Sequence, residues 1–156
     1  MNARISDRDS GYKALQKRIL ATAKGKRVTV GVHEAEGAAA EGDGPTVLDV
    51  AEWNEFGTDT IPERSFIRGW CDENVDQNKT LMRKLSAALL SGKIPTVEAA
   101  LNRFGLVAVA GIQARIRAGI APENAASTIA KKGSSTPLID SGTLWTSIKH
   151  ELTDDK

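Results

Sequence analysis

The sequence predicts an α+β fold in which a small antiparallel β-sheet packs against two or more long α-helices. Residues 27–33 (RVTVGVH) alternate apolar and polar side chains, as a half-buried strand does. Residues 96–119 and 65–90 each carry apolar side chains on one side at helical spacing. We expect one domain over residues 1–156, because this length is usual for a single domain.

The N-terminal segment predicts a basic helix over residues 6–24. Ser6 and Asp9 have the spacing of a capping box, and Gly25 is a typical residue for a helix to stop at. Lys and Arg side chains fill its polar face. Its apolar face would be formed by Tyr12, Leu15, Ile19 and Leu20.

The strand at 27–33 is followed by a segment rich in Gly, Ala and acidic residues. We expect residues 34–45 (EAEGAAAEGDGP) to form a mobile loop, which is long for a connection. Thr46 and Asp49 then repeat the capping-box spacing and open a short helix that ends at Gly57.

The next helix is predicted from Ser65 to about Leu90, and its polar stretch at 72–80 allows a break. Thr96 caps the longest periodic segment, which ends near Gly119. The apolar stripe of this segment comprises Val97, Leu101, Phe104, Ala108, Ile112 and Ile116.

Two glycines, Gly105 and Gly111, lie inside this last helix. Each weakens a helix by about 1 kcal/mol relative to alanine, so we expect close packing against a neighbour there. Near the C-terminus, Asp140 or Ser141 caps a short helix with Leu144 and Trp145. A final strand is predicted over 148–152.

The net charge of +1 conceals blocks of opposite sign. Residues 1–27 carry eight Lys or Arg and two Asp or Glu, whereas residues 28–63 carry nine Asp or Glu and no Lys or Arg. A near-neutral chain of this kind is not built mainly to hold nucleic-acid phosphates. The basic helix could cover the acidic segment, the two charges could bind copies head to tail, or both could simply be solvated.

Residues that carry chemistry are scarce. The single cysteine, Cys71, and two histidines disfavour a disulfide scaffold and a zinc site, and Cys71 is expected to be structural. No apolar run approaches the ~18–20 residues of a membrane span. A hydrolase triad would have to use His33 or His150, both expected at surface or edge positions, and no serine lies in a nucleophile elbow. We expect neither an enzyme nor a cofactor.

Three further groups of residues have alternative interpretations. Glu52 and Glu55 share a helix side and are expected to form a solvated or inter-subunit acidic edge. Trp53, Trp70 and Trp145 fill the core or lie at interfaces. Four basic residues form a solvated face or contact nucleic acid: Arg115, Arg117, Lys131 and Lys132.

Two segments carry a family resemblance. Residues 50–70 read VAEWNEFGTDTIPERSFIRGW, with the pattern A-x-x-N-E-F-G-T and then I-P-x-R-x-F-I-R. Residues 127–148 read STIAKKGSSTPLIDSGTLWTSI, with P-L-I-D-[ST]-G-x-L-x-x-S-I. In this order, after the strand VTVGVH, they resemble the tail-completion and head–tail joining (neck) proteins of tailed bacteriophages, particularly the Mu-like type.

The resemblance implies a structural virion protein. Such proteins form a ring, commonly a hexamer, that completes the top of the tail and joins it to the head. The implied partners are further copies of the chain, the tail tube protein and the head completion or connector protein. DNA would pass through the lumen without specific binding, with no membrane involved. Assembly would occur in the bacterial host cytoplasm, and the final location would be the tail or neck of the virion.

The motif also supplies expectations for single residues. Phe56 is expected to bury its ring where the helix stops at Gly57, so that Phe56→Ala would cost about 3–5 kcal/mol. Arg64 is expected to pair with Glu55 or with a carboxylate of a neighbouring copy. Gly142 would allow close approach. The residues expected in the motif or at a subunit or partner interface are Trp53, Asn54, Glu55, Phe56, Gly57, Thr58, Pro62, Arg64, Phe66, Arg68, Lys131, Pro137, Asp140, Gly142 and Leu144.

Each of these residues could also serve only to maintain the fold. In the leading interpretation of the whole chain, the acidic surface of residues 34–63 contacts a basic surface of the next subunit in a ring. The alternative is a neck or connector protein that contacts packaged DNA through Lys131, Lys132 and nearby arginines.

Overall fold

A pair of antiparallel strands, β1 (Lys26–Val32) and β2 (Ile148–Asp154), forms the sheet of the described chain and joins segments far apart in sequence. In their register Val28 lies opposite Leu152, and Val32 lies opposite Ile148. The computed structural model describes residues 9–22, 25–37, 44–124, 138 and 142–154.

Helices account for most of the remaining described residues. Their bounds are α1 (Tyr12–Thr22), α2 (Glu34–Gly37), α3 (Val47–Phe56), α4 (Ile67–Glu73), α5 (Val75–Leu90), α6 (Val97–Ala118) and α7 (Thr143–Ser147). The helices pack against the sheet, so the predicted α+β class is confirmed.

Helix α6 lies against both strands and forms the centre of the fold. It begins where predicted, because Thr96 Oγ1 accepts a 3.1 Å hydrogen bond from the N–H of Ala99. It ends at Gly119, which has a φ of 83°. The principal core contains Val47, Ala51, Phe66, Trp70, Ala108, Ile112, Ile116, Leu144 and Ile148.

A lysine ties the start of β1 to two other elements. Lys26 Nζ lies 2.6 Å from Asp154 Oδ1 at the end of β2 and 3.3 Å from Glu98 Oε1 at the start of α6. These hydrogen bonds raise the pKa of Lys26, that to Asp154 most strongly, and hydrogen bonding also lowers the pKa of Glu98. The sheet and α6 are therefore joined by charge as well as by packing.

The two glycines of α6 do pack closely, as predicted. A Cβ on Gly111 would overlap the indole of Trp70, and a Cβ on Gly105 would overlap the imidazole of His150. These positions let α4 and β2 approach the helix. A second, smaller core lies between α5 and α6 and contains Leu85, Ile94 and Ala100.

Helix α1 starts later than predicted. Residues 9–11 are not helical, and Asp9 Oδ1 accepts hydrogen bonds from the N–H groups of Gly11 (3.0 Å) and Tyr12 (2.7 Å). Gly11 has a φ of 111°, which a helix cannot continue through. Asp9 therefore acts as the cap itself, and Ser6 lies outside the described residues.

Two other expectations change in detail. The segment predicted as a loop at 34–45 begins with the helical turn α2, because Ala and Glu are good helix formers and Gly37 ends the turn. Residues 38–43 lie outside the described ones. The long helix predicted from Ser65 is two helices, and the break at Asn74 falls inside the polar stretch that allowed one.

Candidate functional site

The first motif segment folds as α3, a turn and α4, and Glu55 joins these elements. Its side chain is buried, with the residue only 6% exposed. Glu55 Oε2 accepts hydrogen bonds from the N–H groups of Phe66 (2.8 Å) and Ile67 (2.9 Å). Its Oε1 accepts from the N–H of Arg68 (2.8 Å) and from Ser65 Oγ (2.7 Å).

This arrangement supplies hydrogen-bond acceptors to the first N–H groups of α4. The N-cap residue of α4, Phe66, has no side chain that can accept from the first N–H groups of the helix. A carboxylate satisfies them and also suits the positive end of the helix dipole. The predicted acidic edge is therefore wrong for Glu55, which is buried, whereas Glu52 is exposed.

Arg64 is also buried, and it does not pair with Glu55. The residue is 7% exposed, and its Nε donates to the carbonyl oxygen of Pro122 at 2.7 Å. Its Nη2 donates to the carbonyl oxygen of Glu123 at 3.1 Å, and Nη1 lies 3.5 Å from Asn54 Oδ1. Burial lowers the pKa of the guanidinium. In place of the expected pair with Glu55, Arg64 bonds backbone carbonyls from the segment after α6.

The turn between the two helices is held by its own hydrogen bonds. The N–H of Gly57 donates to the carbonyl of Trp53 at 2.9 Å, with a positive φ of 76° at the glycine as expected. The N–H of Thr58 donates to the carbonyl of Ile61 at 2.8 Å, and Thr58 Oγ1 accepts from the N–H of Ile61. Pro62 is exposed on this turn.

Phe56 is exposed, contrary to the prediction. It is 63% exposed, because α3 turns Val47, Ala51 and Glu55 toward the core and leaves Phe56 on the opposite side. The guanidinium of Arg68 lies 5.6 Å from the centre of the Phe56 ring and forms an ion pair with Glu63.

The exposed part of the motif thus forms one surface, which we call the α3 surface. Trp53, 38% exposed, lies beside Phe56 on α3. The α3 surface comprises Leu48, Glu52, Trp53, Phe56, Glu63 and Arg68, all exposed. It combines carboxylates with aromatic rings and an arginine, and the latter two residue types are enriched in protein interfaces.

The second motif segment reaches the first through α7. Leu144 is buried in the same core as Val47 and Ala51 of α3, and helices α3 and α7 are in contact. Gly142 has a φ of 81°, but a Cβ there would meet nothing within 4 Å, so its role is the backbone angle and not close approach. Lys131, Pro137 and Asp140 lie outside the described residues.

Other candidate residues have internal roles. Trp70 is buried in the core, while Trp145 is half-buried and carries the Arg117 guanidinium 4.8 Å from its ring centre. Arg115 forms an ion pair with Glu73 and donates to the carbonyl of Ser65 at 3.2 Å. The two arginines of the proposed basic patch are thus engaged within the chain.

The histidines and the cysteine have different surroundings. His33 follows β1 but is not at the surface, since its side chain is 15% exposed, with Nε2 3.0 Å from Thr29 Oγ1. His150 Nε2 lies 2.7 Å from Asn102 Oδ1. Cys71 is exposed, and partial burial together with Asp72 and Glu55 raises its pKa, so the reactive thiolate is disfavoured.

Within the described ranges, no three or more His, Cys, Asp or Glu side chains group together as metal ligands would. No helix in that part of the chain has both the length and the apolar character needed to cross a bilayer.

Sequence reasoning did not identify the partners of the two buried charges. Most of those partners are backbone groups, the N–H groups at the start of α4 for Glu55 and two carbonyls after α6 for Arg64. The sequence indicated Ser65 as the start of this helix, and only the fold shows that Phe66, which has no side-chain acceptor, is its N-cap residue.

Comparisons with models of known protein families, with curated proteins and with solved structures found no match for this chain.

Proposed function

We propose that this chain is a structural virion protein that forms a ring at the top of a phage tail and joins the tail to the head connector. The proposal rests on the resemblance of the two motif segments and on one structural observation. Phe56, Trp53 and Arg68 stand exposed on a frame that the buried Glu55 and Arg64 hold in place.

The division of the motif into two parts supports an adhesive role. Glu55 and Arg64 each make several hydrogen bonds to elements distant in sequence, so the backbone that carries Phe56 is fixed before any partner arrives. An exposed aromatic ring on a fixed frame loses little conformational freedom on binding. Exposed aromatic residues beside an arginine are typical anchors of protein interfaces.

The charge distribution suits contacts between copies. Glu52, Asp59 and Glu63 are exposed within a segment that has no Lys or Arg, whereas Lys13 and Lys17 are exposed on α1. Opposite charges on separate elements favour head-to-tail contacts, which close into rings when the rotation between copies allows it.

The first experiment measures the assembly of the purified full-length chain. Native mass spectrometry and negative-stain electron microscopy are expected to show closed rings, commonly six copies as the resemblance implies. Phe56→Ala is expected to weaken these rings while leaving the melting temperature within a few degrees. The matched control is Leu106→Ala, since Leu106 is 55% exposed on α6, and that variant should assemble normally.

A chain that stays monomeric up to high concentration would overturn the proposal. Rings that are indifferent to Phe56→Ala would overturn the role of Phe56 as an interface anchor. Addition of duplex DNA separates the proposal from the neck alternative. We expect no retention of DNA by the ring, whereas retention that falls steeply with added salt would favour the DNA-contacting function.

A further inference from the structure

The first observation concerns α1, whose apolar face is largely exposed in the described part of the chain. None of its residues is buried, and Tyr12 is 70% exposed. The same face carries Leu15, Ile19 and Leu20, all exposed. An isolated helix of eleven residues is marginal in water, so a helix like this is stabilised mainly by what its apolar face packs against.

Within its own chain α1 packs on α5 through another side. Arg18 Nη1 donates to the carbonyl of Leu90 at 3.3 Å, and the guanidinium lies against Gly92. On a helical projection Arg18 lies on the far side of the stripe from Lys13 and Lys17. Leu15 lies beside Arg18 on this projection and is the least exposed residue of the stripe, whereas Tyr12, Leu20 and Lys13 face away from the contact with α5.

The α3 surface has the complementary properties. Leu48, Glu52 and Phe56 recur every four residues on its outer side, with Trp53 adjacent. Leu48 and Phe56 are eight residues apart, as are Tyr12 and Leu20, so both exposed stripes are ~12 Å long. The α1 stripe is bordered by lysines and the α3 stripe contains an acid, so the two match in length, apolar character and charge.

We propose that α1 of one copy docks on the α3 surface of the next copy, with Lys13 and Lys17 facing Glu52 and its acidic neighbours. This inference rests on the proposed function and deepens it, because it names the two elements that join adjacent subunits. The occupant is a second copy of this chain, since the required basic amphipathic helix is part of every subunit and most of its apolar face is exposed in the described part of the chain. Because α1 of one copy contacts a different surface, the α3 surface, of the next copy, the contact is heterologous. Rings are built from contacts of this kind.

Cross-linking between differently tagged copies tests the contact directly. In a Cys71→Ser background, one chain carries Ile19→Cys and the other carries Phe56→Cys. Mild oxidation of the mixture is expected to yield a covalent dimer of the two tagged chains, which no intrachain bond can imitate. The matched control replaces Phe56→Cys by Leu106→Cys on α6 and should cross-link at least about tenfold less, as unspecific collision would.

Charge reversal gives an independent readout on the full chain. Lys17→Glu and Glu52→Lys, each alone, are expected to raise the concentration needed for half-assembly by about tenfold. Their combination should recover most of that loss, because the pair is then restored with opposite polarity. Lys79→Glu, an exposed lysine on α5, is the matched control and should have little effect. Circular dichroism of each variant verifies that it is folded.

The outcomes separate this inference from the proposed function. Rings that form without the Ile19–Phe56 cross-link, or that ignore both charge reversals, overturn the docking and leave the ring proposal standing. A closed two-copy dimer that does cross-link supports the docking of α1 on α3 and overturns the ring. A chain that neither assembles nor cross-links overturns both.

Discussion

The carboxylate of Glu55 serves as the cap of α4, with its Oε2 accepting a 2.8 Å hydrogen bond from the backbone N–H of Phe66. Glu55 lies in α3 and Phe66 is the N-cap residue of α4, so this bond fixes where α3 ends relative to where α4 begins. The exposed α3 surface depends on that geometry.

Replacing Glu55 should therefore destabilise the fold. Glu55→Ala leaves three N–H groups and the Ser65 hydroxyl without their acceptor, at an expected loss of about 3 kcal/mol in the free energy of unfolding. Urea denaturation measures the loss. Glu52→Ala, three positions away but exposed, should stay within ~0.5 kcal/mol of the wild type. Equal effects of the two substitutions would contradict the capping role.

Arg64 should behave as a structural residue. Arg64→Ala removes the hydrogen bonds that the buried guanidinium donates to the carbonyls of Pro122 and Glu123. We therefore expect a loss of about 2 kcal/mol in the free energy of unfolding. Any loss of assembly in this variant would then follow from loss of folding. The exposed Arg103→Ala is the control. An Arg64→Ala chain as stable as wild type would show that the carbonyl contacts contribute little.

The packing of Gly111 against Trp70 can be tested by a double-mutant cycle. Gly111→Ala places a methyl group against the indole and should destabilise the chain by about 1–3 kcal/mol, despite the better helix propensity of alanine. In a Trp70→Phe background, which lacks the indole atoms that would overlap, the same substitution should be less harmful. Thermal denaturation of the four chains gives the coupling. Equal destabilisation by Gly111→Ala in both backgrounds would show that the strain does not come from the contact with Trp70.

Asp49 should make stability depend on acid pH. Hydrogen bonds from the side chain and backbone of Thr46 lower the pKa of Asp49 below its ordinary 3.8. Because the folded value is the lower one, this stabilisation is fully present above pH 3.8 and is lost as pH falls through the folded pKa. NMR titration of the carboxyl group should show the lowered pKa, and Thr46→Val should move it back toward 3.8. An unchanged pKa in that variant would refute the assigned cause.

Local patterns predicted much of the secondary structure because their causes lie within a few residues. Thr46 and Asp49 form the predicted capping box, and Thr96 caps α6, since each contact spans three residues. The alternation in β1 and the stripe of α6 likewise follow from the geometry of strand and helix. Gly105 and Gly111 indicated close packing, although only the fold identified His150 and Trp70 as the neighbours.

The same patterns could not decide which side of α3 would be buried. Glu52, Glu55 and Phe56 lie within two turns of one helix, yet only Glu55 is enclosed, because α4 begins beside it. Its partners lie ten to thirteen residues away, and the two carbonyls that Arg64 bonds after α6 lie nearly sixty residues away. By itself the sequence determined where most helices and strands would form and which residues would cap several of them. Only the tertiary structure decided that Glu55 and Arg64 are buried while Phe56 is exposed. The reason is that burial depends on which segments, distant in sequence, pack against each side chain.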